Sequence, residues 1–463
     1  MDTQQLALII FRRDLRIIDN TALQAAAKTG LTVLPIFIID PRQVGKNNSY
    51  KSDNCIQFML ESLIDLAKQL QQQGGRLYLF YGYPDQVVTE LLSTLPIAAI
   101  FLNNDYTPFA KERDAALATV AKQHRITIHR YDDLLLNDPT AIKKRDGSFY
   151  TIFTPYYNRA LQEKVSMPQP LPQASWYRKE IAIAANQLVS SWQPQPNKLI
   201  FAHGGRTAAQ KILQKIGQFA TYKQTHDFPA YATTGLSPYL KFGCISAREA
   251  WHAITKALGA QGEPLLRQLY WRDFFTQIAY HHPRIFGHAF YEKFDIISWK
   301  TDAKKLQAWC SGTTGFPIVD AGMRQLNATG WMHNRVRMIV ASLLVKDLHI
   351  DWRVGEQYFA QQLIDYDPCI NNGNWQWAAS TGCDAQPYFR IFNPWLQQKK
   401  FDPTAEYIKQ WLPELRKLPA SVIHNWQTYH KNYPQLYHAP IVDHAIANQH
   451  AKKMFAQAAK SKQ

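Results

Sequence analysis

Four segments of the chain hold residue types whose spacing could do chemistry. The first is 371-NNGNWQWAAS-380, where Trp375 and Trp377 stand behind a run of asparagine and glycine. Large aromatic rings usually belong in a core, and Asn-Asn-Gly-Asn usually belongs in a turn. The stretch is either a turn entering a core helix or a site where indole rings do chemistry or stack on a flat ligand. Just upstream, Asp365 and Asp367 are two apart and Pro368 can open a helix. Asn371 and Trp375 then lie one helical turn from each other.

The second is 331-WMHNRVRMIVASLLVKDL-348, where helical spacing puts Asn334, Arg337, Met338, Ala341 and Val345 on one face. Two polar groups on an otherwise apolar stripe need partners if buried, and an Arg337–Asp365 pair would supply one. The third is 264-PLLRQLYWRDFF-275, with Gln268, Trp271, Arg272 and Phe275 on one helix face. That face could hydrogen-bond and stack against a base, or it could be a core helix with an interhelical salt bridge. The fourth is 222-YKQTHDFPAYATTGLSPYLKFG-243, where Thr233, Thr234 and Ser237 bracket Gly235 ahead of a helical pattern. Hydroxyls and free N–H groups at a helix start can cradle a phosphate, or simply cap the helix.

Composition limits what these segments can serve. The chain has 463 residues, 46% hydrophobic and 19% charged, so it buries a large core and is not disordered. A formal charge of +16 favours a polyanionic partner such as nucleic acid, although a basic enzyme without one fits equally. Five cysteines without a CxxC pair suit reduced thiols and argue against a structural zinc site or a cysteine-ligated cluster, so no metal is expected. The apolar run LALII is too short for a signal peptide, and no stretch approaches the ~20 residues of a membrane span. A soluble, cytoplasmic protein with no membrane partner is expected.

The elements that must position the four segments divide the chain. Every tryptophan lies at or after position 176. Before that, 6–11, 31–40, 75–82, 98–105 and 125–132 read as buried strands separated by helical patterns. In 54–73, Ile56, Met59, Leu60, Leu63, Leu66 and Leu70 form one stripe, with Asn20 and Asp53 or Asn54 as N-caps and Gly74–Gly75 as a stop. Five strands with helical crossovers predict an α/β, Rossmann-like domain with a parallel sheet covered on both faces. RRDLR follows the first strand, so the G-x-G-x-x-G dinucleotide fingerprint is absent. The expected division is an α/β domain over 1–132, a Pro-, Gln- and Ser-rich surface connector over 133–202, and an all-α domain over 203–463.

The segments FRRDLRIIDN, LSPYLKFG, the WRDFF helix, GWMHNRVRMIVASLLVKDLHIDWR and NNGNWQWAASTGCDAQPYFRIFNP resemble the DNA photolyase/cryptochrome family. They are most similar to its class I cyclobutane pyrimidine dimer photolyases, across essentially the whole chain. The resemblance implies a helical domain that holds FAD, active as reduced FADH⁻, and UV-damaged DNA as the partner of a monomer. It implies light-driven electron transfer from the flavin to a dimer flipped out of the duplex, the flipping being a property of photolyases in general. Tyr222, Thr233, Thr234, Gly235, Leu236 and Ser237 would hold the FAD phosphates. Arg272, Arg337, Asp365, Tyr366 and Asp367 would line the cofactor, and Asn371 would face flavin N5. Trp375, Trp352 and Trp299 would form an electron path. Trp271, Met338 and Trp377 would wall the dimer, Asn334 and Gln268 would reach its polar edges, and His226, Arg335, Gln397 and Lys399 would serve the DNA.

Two residues depart from the pattern. Dimer photolyases usually carry Glu where this chain has Gln268, and Ala232 stands where the family commonly has Gly. Photolyases of the six-four photoproduct carry Gln at that first position, but put a His pair where this chain reads Met332–His333–Asn334. A six-four photolyase and a cryptochrome photoreceptor are therefore the alternative readings. The family often adds a light-harvesting antenna. Ala110 stands where folate-binding members place a glutamate, and Phe286–Gly287 where they place Cys-Lys. Lys241 matches a lysine near the antenna of deazaflavin-binding relatives, so a deazaflavin or a flavin is favoured over folate.

Overall fold

The computed structural model describes residues 4–182, 193–384 and 389–460. Positions 385–388 of the NNGNWQWAASTGCDAQPYFRIFNP motif, 183–192 of the expected connector and 461–463 of the tail lie outside them.

The N-terminal part alternates strand and helix: β1 (Leu6–Phe11), α1 (Thr21–Lys28), β2 (Thr32–Ile39), α2 (Asp53–Gln72), β3 (Tyr78–Tyr81), α3 (Pro84–Thr94), β4 (Ile97–Asn103), α4 (Pro108–Gln123) and β5 (Thr127–Tyr131). The strands form one parallel sheet in the order β3-β2-β1-β4-β5. Apolar side chains alternate through it. Ala7, Ile9 and Phe11 join a cluster with α1 and α2, while Leu6, Leu8 and Ile10 join another with α3 and α4. Both faces are covered, as near-continuous apolar strands require. Asn20 caps α1 as expected, accepting from the Leu23 N–H. The cap of α2 is Ser52 rather than Asp53 or Asn54, because its hydroxyl reaches the Cys55 N–H.

Most described residues of the expected surface connector are exposed or half-buried, but two pieces of it pack into the fold. Helix α5 (Phe153–Ala160) buries Phe153, Tyr156, Tyr157 and Ala160 against Phe274 and Ile278. Ser175–Trp176 forms a sixth short strand, pairing in parallel with β2. Prolines masked the aromatic helical face between them.

The rest of the described chain is helical. The elements that matter for the site are α6 (Ser237–Lys241), α7 (Ala247–Leu258), α8 (Glu263–His281), α9 (Pro317–Thr329), α10 (Asn334–Ser342), α11 (Trp352–Gln362), α12 (Pro368–Ala379) and α13 (Pro394–Phe401). The helix expected across 331–348 starts only at Asn334 and widens into a π turn over Leu343–Asp347. Within that turn, buried Lys346 donates to the Ala379 carbonyl at 2.8 Å and Asp347 pairs with His444 at 2.5 Å. The apolar cluster under α1 and α2 continues into Tyr239, Ile254 and Leu269, so the sheet and the first helices of the α-rich part share one core.

A buried charge knot reinforces that junction. Asp133, just after β5, accepts from Arg16 at 2.5 Å, Arg248 at 2.8 Å and Thr21 Oγ1 at 2.7 Å. Burial alone would raise its carboxyl, but Arg16 and Arg248 bring it down to about 2. Its folded value lies below the unfolded ~3.9, so its stabilisation is full above pH ~4 and is lost as pH falls towards 2. Asp133→Asn should cost about 3–5 kcal/mol at pH 7, because two buried guanidinium groups lose a counter-ion. Urea unfolding of both proteins at a series of pH values checks this: the gap should narrow below pH ~4 and stay constant above it.

Candidate functional site

Helix α12 carries the first segment. Pro368 is at its start and Asp367 is its N-cap, accepting from the Cys369 N–H at 3.0 Å and the Ile370 N–H at 3.3 Å. The helix faces α8 closely. A Cβ on Gly373 would stand 2.3 Å from the Phe275 ring, so only glycine allows this approach. The whole Asn-Asn-Gly run is therefore helix and not turn.

The expected Arg337–Asp365 pair is present at 3.0 Å, and the Ser237 hydroxyl donates to the same carboxylate at 2.6 Å. Arg337 also donates through Nε to the Met332 carbonyl at 2.8 Å. Ser237 thus joins α6 to the loop before α12 and does not cap its own helix, which has no side-chain cap bond. Gly235 has φ +63°, which lets Thr233 and Thr234 turn into that short helix. Tyr222 sits upstream, its phenol pushed up to about 12 by burial.

Asn371 is buried. Its Nδ2 donates twice to Glu356, at 3.0 Å to the backbone carbonyl and 3.0 Å to Oε1. Trp375, one turn on, is buried against Phe359 and Trp309, with ring centroids 5.0 and 6.2 Å away. Trp352 is buried in the same cluster, while Trp299 packs at its margin beside Phe455. Trp309 was not singled out in the sequence, since nothing in its local spacing marks it as a neighbour of Trp375.

The remaining expected residues fall into two groups. Trp271 stacks on Phe153 at 3.6 Å, Trp377 lies under the Arg390 guanidinium at 5.0 Å, and Met338 is half-buried one turn from exposed Asn334. Gln268 and Lys399 are exposed, and Gln397 is half-buried. Others are tied up within the fold. Arg272 spends its outer nitrogens on the Leu134 and Leu240 carbonyls, at 2.5 and 3.1 Å. Arg335 pairs with Asp227 at 2.7 Å and stacks over Phe401, and His226 meets the same Asp227 at 3.2 Å.

Sequence reasoning overlooked what RRDLR does. It leaves the carboxyl end of β1, where the strand order reverses between β1 and β4. Arg12 pairs with Asp114 at 2.5 Å, and Arg13 bridges Asp105 at 3.0 Å to Asp367. Burial would raise the Asp367 carboxyl, yet Arg13 and Lys241 hold it below its ordinary value. Lys241 lies in this knot, its amine lowered by burial and then by Arg13. The arginine where a dinucleotide loop would have glycine was the available signal.

The sequence profile of DNA photolyase matches residues 7–175, and that of the FAD binding domain of DNA photolyase matches residues 265–457. A deoxyribodipyrimidine photo-lyase of Alkalihalophilus pseudofirmus is 35% identical over 98% of this chain and 98% of its own. The chain belongs to the DNA photolyase/cryptochrome family. Solved structures agree with this. An archaeal photolyase from Sulfolobus tokodaii with two FAD molecules superposes with a TM-score of 0.88 at 41% identity, covering 98% of this chain and all of that one. A class III photolyase from Agrobacterium tumefaciens gives 0.91 at 33%, covering 99% and 98%. A Synechocystis cryptochrome gives 0.90 at 28%, covering 98% and 100%.

The residues present fit FAD. Hydroxyls at a left-handed glycine turn suit phosphates, the Arg337–Asp365 pair suits the polar edge of a ring, and the Asn371 Oδ1 has no donor among the described residues. Among these residues no His, Cys, Asp and Glu group could hold a metal, no helix is long and apolar enough to cross a membrane, and the five cysteines are unpaired.

Arg13→Met should leave Asp367 and Asp105 buried without their shared cation. We expect a loss of about 3–5 kcal/mol in urea unfolding, together with less FAD retained through purification, measured by visible absorbance.

Proposed function

We propose that the protein repairs cyclobutane pyrimidine dimers in DNA by light-driven electron transfer. The observation that supports this best is the buried Asn371, its Oδ1 free, one helical turn from buried Trp375. Bound FAD, in its reduced form, supplies the light-absorbing electron donor. Ser237, Thr233, Thr234 and Tyr222 would hold its phosphates. Arg337 and Asp365 would lie beside its ring, Tyr366 and Asp367 would line it as well, and Asn371 would face the ring. The apolar packing around α12 keeps water from the site.

Trp271, Trp377 and Met338 wall the substrate, and exposed Gln268 and Asn334 reach its polar edges. Lys399 and the +16 charge supply sequence-independent affinity for phosphates. The DNA is met in the cytoplasm. Of the two sister readings, a six-four photolyase is disfavoured because His333 stands alone. It is buried, its ring lowered to about 4 by burial, and its Nδ1 accepts from the Arg335 N–H. The cryptochrome reading is kept as an outcome of the test. The antenna is a deazaflavin or a second flavin rather than folate. Ala110 is fully buried and brings no carboxylate to a pterin, and the Sulfolobus relative carries a second FAD.

The reduced protein, incubated with a dimer-containing oligonucleotide, should remove dimers in light and not in darkness. Equal loss in both, or none in either, overturns the reading, and removal of the six-four product alone moves it to that sister class.

Trp375, Trp352 and Trp299 run from buried to half-buried within one cluster, which suits a path carrying electrons inward from the surface. Trp375→Phe should block light-driven reduction of bound oxidised FAD while chemically reduced enzyme repairs nearly as before. Its cost in stability should stay below the about 3–5 kcal/mol of a truncation to alanine. Illumination followed by absorbance, beside a repair assay, checks both.

A further inference from the structure

Arg353 has no part in that reading, yet its charge bears on the middle of the electron path. Trp352 opens α11 and is buried, with 1% exposure, and Arg353 follows it in the chain. The guanidinium carbon of Arg353 lies 4.9 Å from the centre of the Trp352 ring. Among the described residues no cation lies over the ring of Trp375 or Trp299, so the middle indole alone of the three carries one.

A contact between chain neighbours can be incidental, but this guanidinium is clamped. Its Nε donates to the Gly287 carbonyl at 2.6 Å, one outer nitrogen donates to Asp295 at 2.8 Å, and the other donates to both oxygens of Asp351 at 3.2 Å. Asp295 is fixed in turn by Arg284 at 2.5 Å and by the Ala289 N–H at 2.7 Å. Gly287 and Asp295 belong to the segment after α8, so a separate part of the chain holds the arginine at the start of α11. A cation over an aromatic face is attracted to the neutral ring and repels a ring that has lost an electron. Asp295 and Asp351 offset part of that repulsion, so the arginine's own contribution is read by removing it.

We propose that Arg353 makes Trp352 harder to oxidise, so that the missing electron does not rest in the middle of the path but passes outward to Trp299. This rests on the reading that Trp375, Trp352 and Trp299 form an electron path. Trp375 gives one electron to light-excited oxidised FAD, Trp352 refills Trp375, Trp299 refills Trp352, and a thiolate in solution gives one electron to Trp299. No bond within the indoles forms or breaks. A vacancy resting on Trp352 lies one step from Trp375 and is soon lost to the returning electron. On Trp299 it lies two steps away and within reach of the thiolate.

The test is flash absorption of the indole radical in protein carrying oxidised FAD, without thiol. Trp299→Phe removes the outer station, so the vacancy stops at Trp352 and is lost by way of Trp375. Adding Arg353→Met should lengthen the life of that radical about tenfold, because the vacancy then returns to Trp375 less often. Arg353→Lys keeps a cation and should stay nearer the parent than Arg353→Met does. An unchanged or shortened life in Arg353→Met overturns the proposal. So does equal lengthening in Arg353→Lys, since charge would then not be the cause. An arginine that only braces α11 would lower the melting temperature and, by loosening Trp352, reduce the amount of radical without prolonging it. If Arg353→Met does not fold, Arg353→Gln, which can still donate to the Gly287 carbonyl, should lengthen the life in the same way. No indole radical in the Trp299→Phe parent overturns the electron path itself, and the proposal with it.

Discussion

Arg13 joins two carboxylates from distant parts of the chain, and the site depends on that bridge. Asp105 ends the β4 turn and Asp367 opens α12, yet one guanidinium pairs with both. Burying three charges together costs several kcal/mol of desolvation each, offset only when geometry and hydrogen bonds are good. Here Asp367 also receives the first N–H groups of α12, so the cap and the ion pair reinforce each other. The direction in which α12 leaves the sheet is set at this point, and Asn371, Trp375 and Trp377 follow from it.

The same construction recurs across the junction. Arg16 and Arg248 meet at Asp133, and Arg206 meets Glu249 at 2.5 Å. Each contact links the sheet side to the helical side, or one helix to the next, through a buried polar group. Such contacts are directional, whereas apolar burial is not. The shared core around Ile254 and Leu269 supplies adhesion, and the charged contacts select one arrangement of it.

Aromatic packing sets the remaining geometry. Trp375 is held edge-on by Phe359 and Trp309, and Gly355 lies so close beneath it that a Cβ would stand 2.3 Å from the indole. Trp271 is fixed by the Phe153 ring from the stretch that composition marked as a connector. Rings confined this way have few rotamers left, as electron transfer or stacking on a flat ligand requires.

By itself the sequence determined what local rules govern. Near-continuous apolar runs in LALIIF and TVLPIFII marked the strands, the 3.6-residue stripe of α2 marked its buried face, and Asp-Pro before α12 marked its start. The polar imbalance on α10 was enough to pair Arg337 with Asp365. Tertiary structure alone decided which distant groups meet. Nothing near Arg13 in the chain names Asp367 as its partner, 354 residues away. Likewise, nothing local assigns Glu356 to Asn371 or packs Phe153 behind Trp271. Periodicity reports which side of an element is buried. The partner on that side is chosen by the packing of the whole chain, where each buried donor and acceptor must find its complement.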